Sequence, residues 1–297
     1  MPKGEELYSP ERVAELLRRG AARLEGAGID TPRLDAETLL AAALGLERLE
    51  LLLTLDRRPG PEQVKIFDGF LDRRCLREPL SQILGRREFW SLDFRVTADT
   101  LTPRPDSETL IEAALAWLDR NGLSRQASLR ILDLGTGSGC LLLALLSELP
   151  NSFGAGVDRS LAALHVAREN AFRLGLANQA GFILGDWASA IGGGRGFDII
   201  LSNPPYISSA DIAKLGPEVC QFEPLAALEG GADGLAAYRQ LAPEFKRLLN
   251  PEGAVFLEIG AGQASDVMTI LKVSGGCHGV SYKDLSGLER CIEANIQ

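Results

Sequence analysis

The chain has 297 residues, with 31 Lys and Arg against 40 Asp and Glu, a formal charge of −9. Its 45% apolar and 24% charged residues exclude a disordered or fibrous chain, and the length leaves room for two cores. The acidic balance speaks against tight, phosphate-led nucleic-acid binding, and an apolar run no longer than Cys140–Leu146 excludes a membrane helix.

The opening MPKGEELYSP has no apolar signal-peptide stretch, and the five cysteines (75, 140, 220, 277 and 291) show no CxxC spacing. The expectation is a cytoplasmic protein with free thiols, no zinc site and no disulfide framework. Three helices are predicted first. Ser9-Pro10-Glu11 caps one that carries Val13, Leu16 and Leu17. Thr31-Pro32 opens a second, which ends at Gly45, and Pro61-Glu62 opens a third with Val64, Phe67, Leu71 and Leu76 on one stripe. Arginines 18, 19, 57, 58, 73, 74 and 77 read as a solvated face. Residues 1–83 therefore form a helical domain. Residues 84–103 read as a connector, because Arg87–Val96 alternates and is aromatic like a β-hairpin. Thr102–Glu108 (TPRPDSE) is held extended by its two prolines, with Asp106-Ser107 capping a helix over Glu108–Arg120.

From about Arg130 to the end, strand alternates with helix. Strands are expected at Ile131–Leu134, Phe153–Val157, Gly181–Leu184, Asp198–Ser202 and Ala254–Ile259, with a closing pair at Gly279–Tyr282 and Arg290–Ala294. This pattern predicts an α/β domain over 104–297 with a doubly wound, mainly parallel sheet. Most of the excess negative charge lies in the part after residue 85.

The first of these strands runs into Gly135-Thr136-Gly137-Ser138-Gly139 and then an apolar helix. Glycines at such a turn let a ligand approach the backbone, and the helix start offers unpaired N–H groups. Cys140 stands where a dinucleotide loop wants its last glycine, which disfavours a pyrophosphate and a nicotinamide dehydrogenase, and the lysine of a triphosphate loop is missing. Asp158 ends the next strand, placed to accept ribose hydroxyls, and Asp186-Trp187 follows the third, placed to border an adenine. Adenosine without pyrophosphate, plus a carboxylate at a helix start, describes S-adenosylmethionine.

The fourth strand ends in Asn203-Pro204-Pro205-Tyr206. The Asn203 amide oxygen and the Pro204 carbonyl can hold the two hydrogens of an NH₂ group, and Tyr206 offers a flat face to a planar amide or base. A delocalised nitrogen is a weak nucleophile, and two acceptors on its hydrogens favour the pyramidal form that attacks. No strong base is needed, in keeping with two histidines, His165 and His278, that lie away from every motif. A non-catalytic adenosine-binding module would not need this clamp.

These motifs, with Gly85–Trp90 (GRREFW), Gly185-Asp186-Trp187, Glu223-Pro224, Gly230-Gly231, Asp233-Gly234-Leu235, Glu258-Ile259-Gly260, Lys283–Gly287 (KDLSG) and Arg290, resemble the bacterial HemK/PrmC family. Its members are glutamine N5-methyltransferases of peptide chain release factors. The resemblance covers nearly the whole chain. It implies a class I, Rossmann-like S-adenosylmethionine-dependent methyltransferase, with S-adenosylhomocysteine as product. Gly135, Thr136, Gly137, Ser138, Gly139, Asp158, Asp186, Trp187 and Asn203 would line the cofactor, and Asn203–Tyr206 would hold the glutamine amide. Arg104 would belong to a loop covering the site, and the helical domain would grip the substrate. Thr102 replaces an apolar residue of the family pattern, and Cys220-Gln221-Phe222 also departs from it. The implied partner is a class I release factor bound through its Gly-Gly-Gln loop by a monomeric enzyme, with no membrane or nucleic acid involved. NPPY also occurs in adenine-N6 DNA methyltransferases, and a glutamine of a ribosomal large-subunit protein is a further alternative substrate.

Overall fold

The computed structural model describes residues 11–194 and 196–296, and the chain divides after Gly85 into two compact units. The first unit is helical: α1 (Val13–Gly26), α2 (Pro32–Leu44), α3 (Arg48–Leu52), α4 (Pro61–Cys75) and α5 (Leu80–Leu84). Pro32 and Pro61 stand at first helical positions, and Gly45 ends α2 at φ 66°. Ser9 and Pro10 lie outside the described residues. The three expected helices are present; α3 and α5, of five residues each, are too short to show a period in sequence. Leu16, Leu39, Leu40, Phe67 and Leu71 fill the core. The arginine face needs one correction. Arg74 is buried and pairs with the buried Asp35 at 2.8 Å, while Arg19 and Arg73 pair with Asp68 and Glu78.

The second unit opens with a hairpin, β1 (Arg86–Phe89) and β2 (Leu92–Arg95). The stretch read as a connector thus belongs to a core: Phe89 and Phe94 pack edge to face among buried residues of this unit. A 3-10 turn, Pro105–Ser107, leads into α6 (Glu108–Arg120). The expected Asp106-Ser107 cap does not form. Ser107 is already helical (φ −68°, ψ −15°) and its hydroxyl is committed to Glu258 instead. There follow β3 (Arg130–Leu134), α7 (Cys140–Glu148), β4 (Phe153–Asp158), α8 (Leu161–Arg173), β5 (Ala180–Leu184) and β6 (Phe197–Ser202). Short helices α9 (Ser209–Ile212) and α10 (Pro217–Phe222) precede α11 (Ala236–Leu248), β7 (Leu249–Glu258), α12 (Ala264–Ile270), β8 (Cys277–Lys283) and β9 (Glu289–Ile296).

The seven strands run in the order β5-β4-β3-β6-β7-β9-β8, parallel from β5 to β7, with β9 antiparallel to both β7 and β8. One apolar core joins α6, α7 and the hairpin to one face; a second joins α11 and α12 to the other, so the sheet is doubly wound as predicted. Strand order reverses at β3, whose neighbours are β4 and β6. A crevice outside the carboxyl ends of the strands forms at such a switch point. The register Ile131↔Ile199 and Asp133↔Leu201 brings the turn after β3 level with the turn after β6. Among the described residues no helix is long and apolar enough to cross a membrane, and no cluster of His, Cys, Asp and Glu could hold a metal.

Candidate active site

A cavity of about 740 Å³ opens at this switch point. Gly135, Gly137 and Gly139 all take positive φ (79°, 54° and 80°), a backbone that side chains rarely tolerate, and this explains their alternation. The turn is pinned by its own amides. Gly135 and Thr136 donate to the Val157 carbonyl at 2.9 Å, and Gly137 donates to Asp158 Oδ2 at 2.9 Å. Asp158 Oδ1 accepts from Ser160 N, so the carboxylate staples the loop to the start of α8. Each oxygen thereby uses one lone pair and keeps another for a ligand hydroxyl. A Cβ on Gly135 would stand 3.2 Å from the Trp187 ring, so the absent side chain lets that ring lie over the loop. Trp187 itself holds φ 49°, the sort of backbone strain that gathers at binding sites.

Across the crevice, the turn after β6 presents Asn203 and Pro205 to the cavity. Among the described residues nothing donates to Asn203 Oδ1 or to the Pro204 carbonyl. The strand-like bonds Ile207 N to Leu228 O and Gly230 N to Ile207 O, at 3.0 and 2.8 Å, hold this turn from behind. Gly230 and Gly234 are needed there because a Cβ would come within 2.7 Å of the Pro205 carbonyl or 2.3 Å of the Tyr206 carbonyl.

Of the residues singled out in sequence, Arg104, Gly135–Ser138, Asp158, Asp186, Trp187, Asn203 and Pro205 meet around this cavity. Gly139, Pro204 and Tyr206 do not line it. Gly139 turns inward, where a Cβ would stand 3.2 Å from Ala167 and Leu143, and Tyr206 points its hydroxyl into the wall, 3.2 Å from Glu258 Oε1. Neither His165 nor His278 reaches the cavity.

A PrmC N-terminal domain model matches residues 15–85, and a methyltransferase domain model matches residues 125–269. The chain is 51% identical to a release factor glutamine methyltransferase of Rhodospirillum rubrum, covering 95% of this chain and 84% of that one. Against the protein of the same name from Bradyrhizobium diazoefficiens it is 42% identical, covering 99% and 98%. The chain belongs to the release factor glutamine methyltransferase family. A solved structure of the human Mettl16 catalytic domain, 14% identical and covering 76% of this chain and 80% of that one, superposes with a TM-score of 0.55 and shows the same fold.

Two carboxyls of this family member went unnoticed as site residues in sequence reading. Asp133, 1% exposed, lies beneath the glycine turn and accepts from Thr136 Oγ1 at 2.6 Å, while its Oδ1 has no partner. Burial pushes its pKa up to about 7; the Thr136 bond opposes this and the Asp158 charge adds to it. Glu258 at the end of β7 is pushed up to about 7 by burial, against the Ser107 bond and the Arg290 charge. The local signal was an acidic residue near the end of an apolar strand, and Glu258 also stood in the Glu258-Ile259-Gly260 motif without an assigned role. In each case the folded protein keeps a proton that the unfolded chain releases near pH 4, so stability falls as pH rises from about 4 to 7. Each carboxyl accounts for on the order of 3–4 kcal/mol of that loss. Asp133→Asn, which keeps an acceptor for Thr136, is therefore expected to unfold at higher temperature than wild type above pH 7 and to have a shallower decline below it. Equal decline in both proteins over a pH series of thermal melts would mean that Asp133 titrates normally.

The family member also carries a latch over the cavity. Arg104 Nη2 lies 2.6 Å from Glu223 Oε2, whose side chain is only 1% exposed. Burial raises the Glu223 pKa, opposed by Arg104 and by the hydroxyl and amide of Thr102. Thr102 thus has a polar task, holding Glu223. Cys220-Gln221-Phe222 lies in α10 and does not line the cavity. Arg104→Ala strands a buried carboxylate, whereas Glu223→Gln does not. We expect the former to cost about 1–2 kcal/mol at neutral pH, less than a fully buried pair because water reaches Arg104. The deficit should shrink in acid, where Glu223 is neutral; a deficit independent of pH in thermal melts would rule out this origin.

Proposed function

We propose that the protein transfers a methyl group from S-adenosylmethionine to the side-chain amide nitrogen, N5, of the glutamine in the Gly-Gly-Gln loop of class I peptide chain release factors. The observation that carries this reading is Asn203 on the cavity wall across from the glycine loop, its Oδ1 accepting from no described donor, with the likewise unpaired Pro204 carbonyl next to it in the same turn.

The pocket residues fit the cofactor. Ser138 Oγ is buried without a partner in the cavity wall, a donor for a carboxylate at the start of α7. Asp158 retains lone pairs for ribose hydroxyls, and Trp187 with Asp186 borders the space for an adenine. When bound, S-adenosylmethionine supplies an electrophilic methyl on a sulfonium, leaving S-adenosylhomocysteine. The chain's own contribution is to bind, orient and polarise. Asn203 and Pro204 hold the two amide hydrogens, which sets the nitrogen lone pair toward the methyl and favours its pyramidal form. Fixed geometry of this kind supplies much of the rate. The nitrogen becomes acidic only after it gains the methyl, so water suffices as the final proton acceptor and no histidine is needed.

The protein acts in this reading as a cytoplasmic monomer, since translation supplies its substrate there. Its acidic surface favours encounter with a basic partner. The test is incubation with labelled S-adenosylmethionine and purified release factor, ribosomes or DNA, followed by peptide mapping. Label on the glutamine of the release-factor loop, at a rate that falls with salt, is expected; label confined to a ribosomal protein or to DNA would refute the assignment.

A further inference from the structure

Asn203 must show its oxygen, not its nitrogen, to the substrate amide, yet the two ends of a carboxamide are nearly equal in size. If the group turned over, its NH₂ would face the NH₂ it is meant to hold. What prevents this lies behind the clamp. Asn203 Nδ2 donates to Ser107 Oγ at 3.3 Å, and Ser107 Oγ donates to Glu258 Oε2 at 2.5 Å. The other Glu258 oxygen accepts from the Tyr206 hydroxyl at 3.2 Å.

A serine hydroxyl alone cannot choose, because it can donate to Asn203 Oδ1 as readily as accept from Nδ2. An ionised carboxylate is an acceptor only. It takes the single hydrogen of Ser107, so that oxygen can only accept, and only the nitrogen end of Asn203 can satisfy it. We infer that Ser107 and Glu258 are positioning residues that lock the Asn203 amide with its oxygen toward the substrate nitrogen. The inference rests on the proposed function, since it concerns the same clamp. It also accounts for two sequence motifs lying far from NPPY, the serine of TPRPDSE and the glutamate of Glu258-Ile259-Gly260.

The lock exists only while Glu258 is ionised. Protonated, it carries a hydrogen of its own, Ser107 regains its choice of direction, and the amide is free to turn. The groups facing Glu258 come from every side: Arg290 and Cys291 on β9, Tyr206 after β6, Tyr238 on α11, Cys140 on α7 and Asp106 in the turn before α6. Arg290, itself paired with Asp284 and Asp106, favours the charge; Asp106 and burial oppose it.

The test is the kcat of the full-length protein on purified release factor at saturating S-adenosylmethionine, across pH 5.5–9. For wild type, kcat should rise with pH through about 7. Ser107→Ala should lower kcat roughly 10–100-fold, the scale of a misplaced reacting group, with KM and cofactor affinity nearly unchanged. Ser107→Thr, which keeps the hydroxyl, should recover most of the loss. Glu258→Gln should abolish the rise near pH 7. Wild-type activity with Ser107→Ala equally active, or with Ser107→Thr no better than Ser107→Ala, overturns the lock alone. If a folding defect obscures Glu258→Gln, the two Ser107 variants still decide. Wild type that labels no glutamine amide overturns the functional reading and the lock together.

Discussion

Asn203→Ala is expected to lower kcat by about 10²–10³-fold, the effect of deleting one fixed dipole aimed at developing charge. Affinity for S-adenosylmethionine should stay close to wild type. The amide nitrogen gains positive character as it attacks, so a hydrogen-bond acceptor on its hydrogens is worth more in the transition state than in the ground state. Alanine removes that acceptor and leaves the Pro204 carbonyl alone, which cannot fix the plane of the amide. The rest of the cavity wall is untouched, because the bonds that hold the turn run through Ile207 and Gly230 rather than through the Asn203 side chain. Single-turnover rates at saturating cofactor, with cofactor binding by calorimetry, measure the two quantities separately. A variant with wild-type turnover would show that Asn203 does not hold the substrate nitrogen.

Asp158→Ala should produce the opposite division, a large loss of cofactor affinity with turnover at saturation mostly kept. Its carboxylate offers a charged acceptor to each of two ribose hydroxyls, and hydrogen bonds to charged groups contribute about 1.5–3 kcal/mol each. Partial exposure of the site lets water replace some of this. We expect a net loss of roughly 2–4 kcal/mol, or about 30–1,000-fold in Kd. A second consequence follows from the staple. The Gly137 and Ser160 amides lose their acceptor, so the glycine loop should exchange its amide hydrogens faster in the variant even without ligand. Unchanged affinity by calorimetry would remove Asp158 from the binding site, whereas unchanged exchange would deny only its role in the loop.

The chemistry of the site was legible in short stretches of sequence. The glycine loop and NPPY carry their meaning locally: alternate glycines permit positive φ at Gly135, Gly137 and Gly139, and prolines fix the turn after β6, whatever lies around them. Strand and helix periods place those turns at the carboxyl ends of strands, and α6 spans Glu108–Arg120 as its pattern predicts. Family resemblance then pointed to a substrate class that composition and spacing leave open.

The supports of the site were not legible, because they depend on residues far apart in the chain. Ser107 reads as a helix cap, but Glu258, 151 positions away, accepts its hydrogen, and Asn203 Nδ2, not a backbone amide, donates to its oxygen. Arg104 and Glu223 meet across 119 positions. Arg74 reads as one of a solvated row until the helical core closes over it and Asp35. The raised pKa values of Asp133 and Glu258 arise from burial, which exists only once both faces of the sheet are covered. From the opening figures, the sequence alone determined an acidic chain long enough for two cores, a nitrogen clamp and an adenosine loop. Tertiary structure decided which buried carboxyls orient them, because desolvation and long-range hydrogen bonding have no local signature.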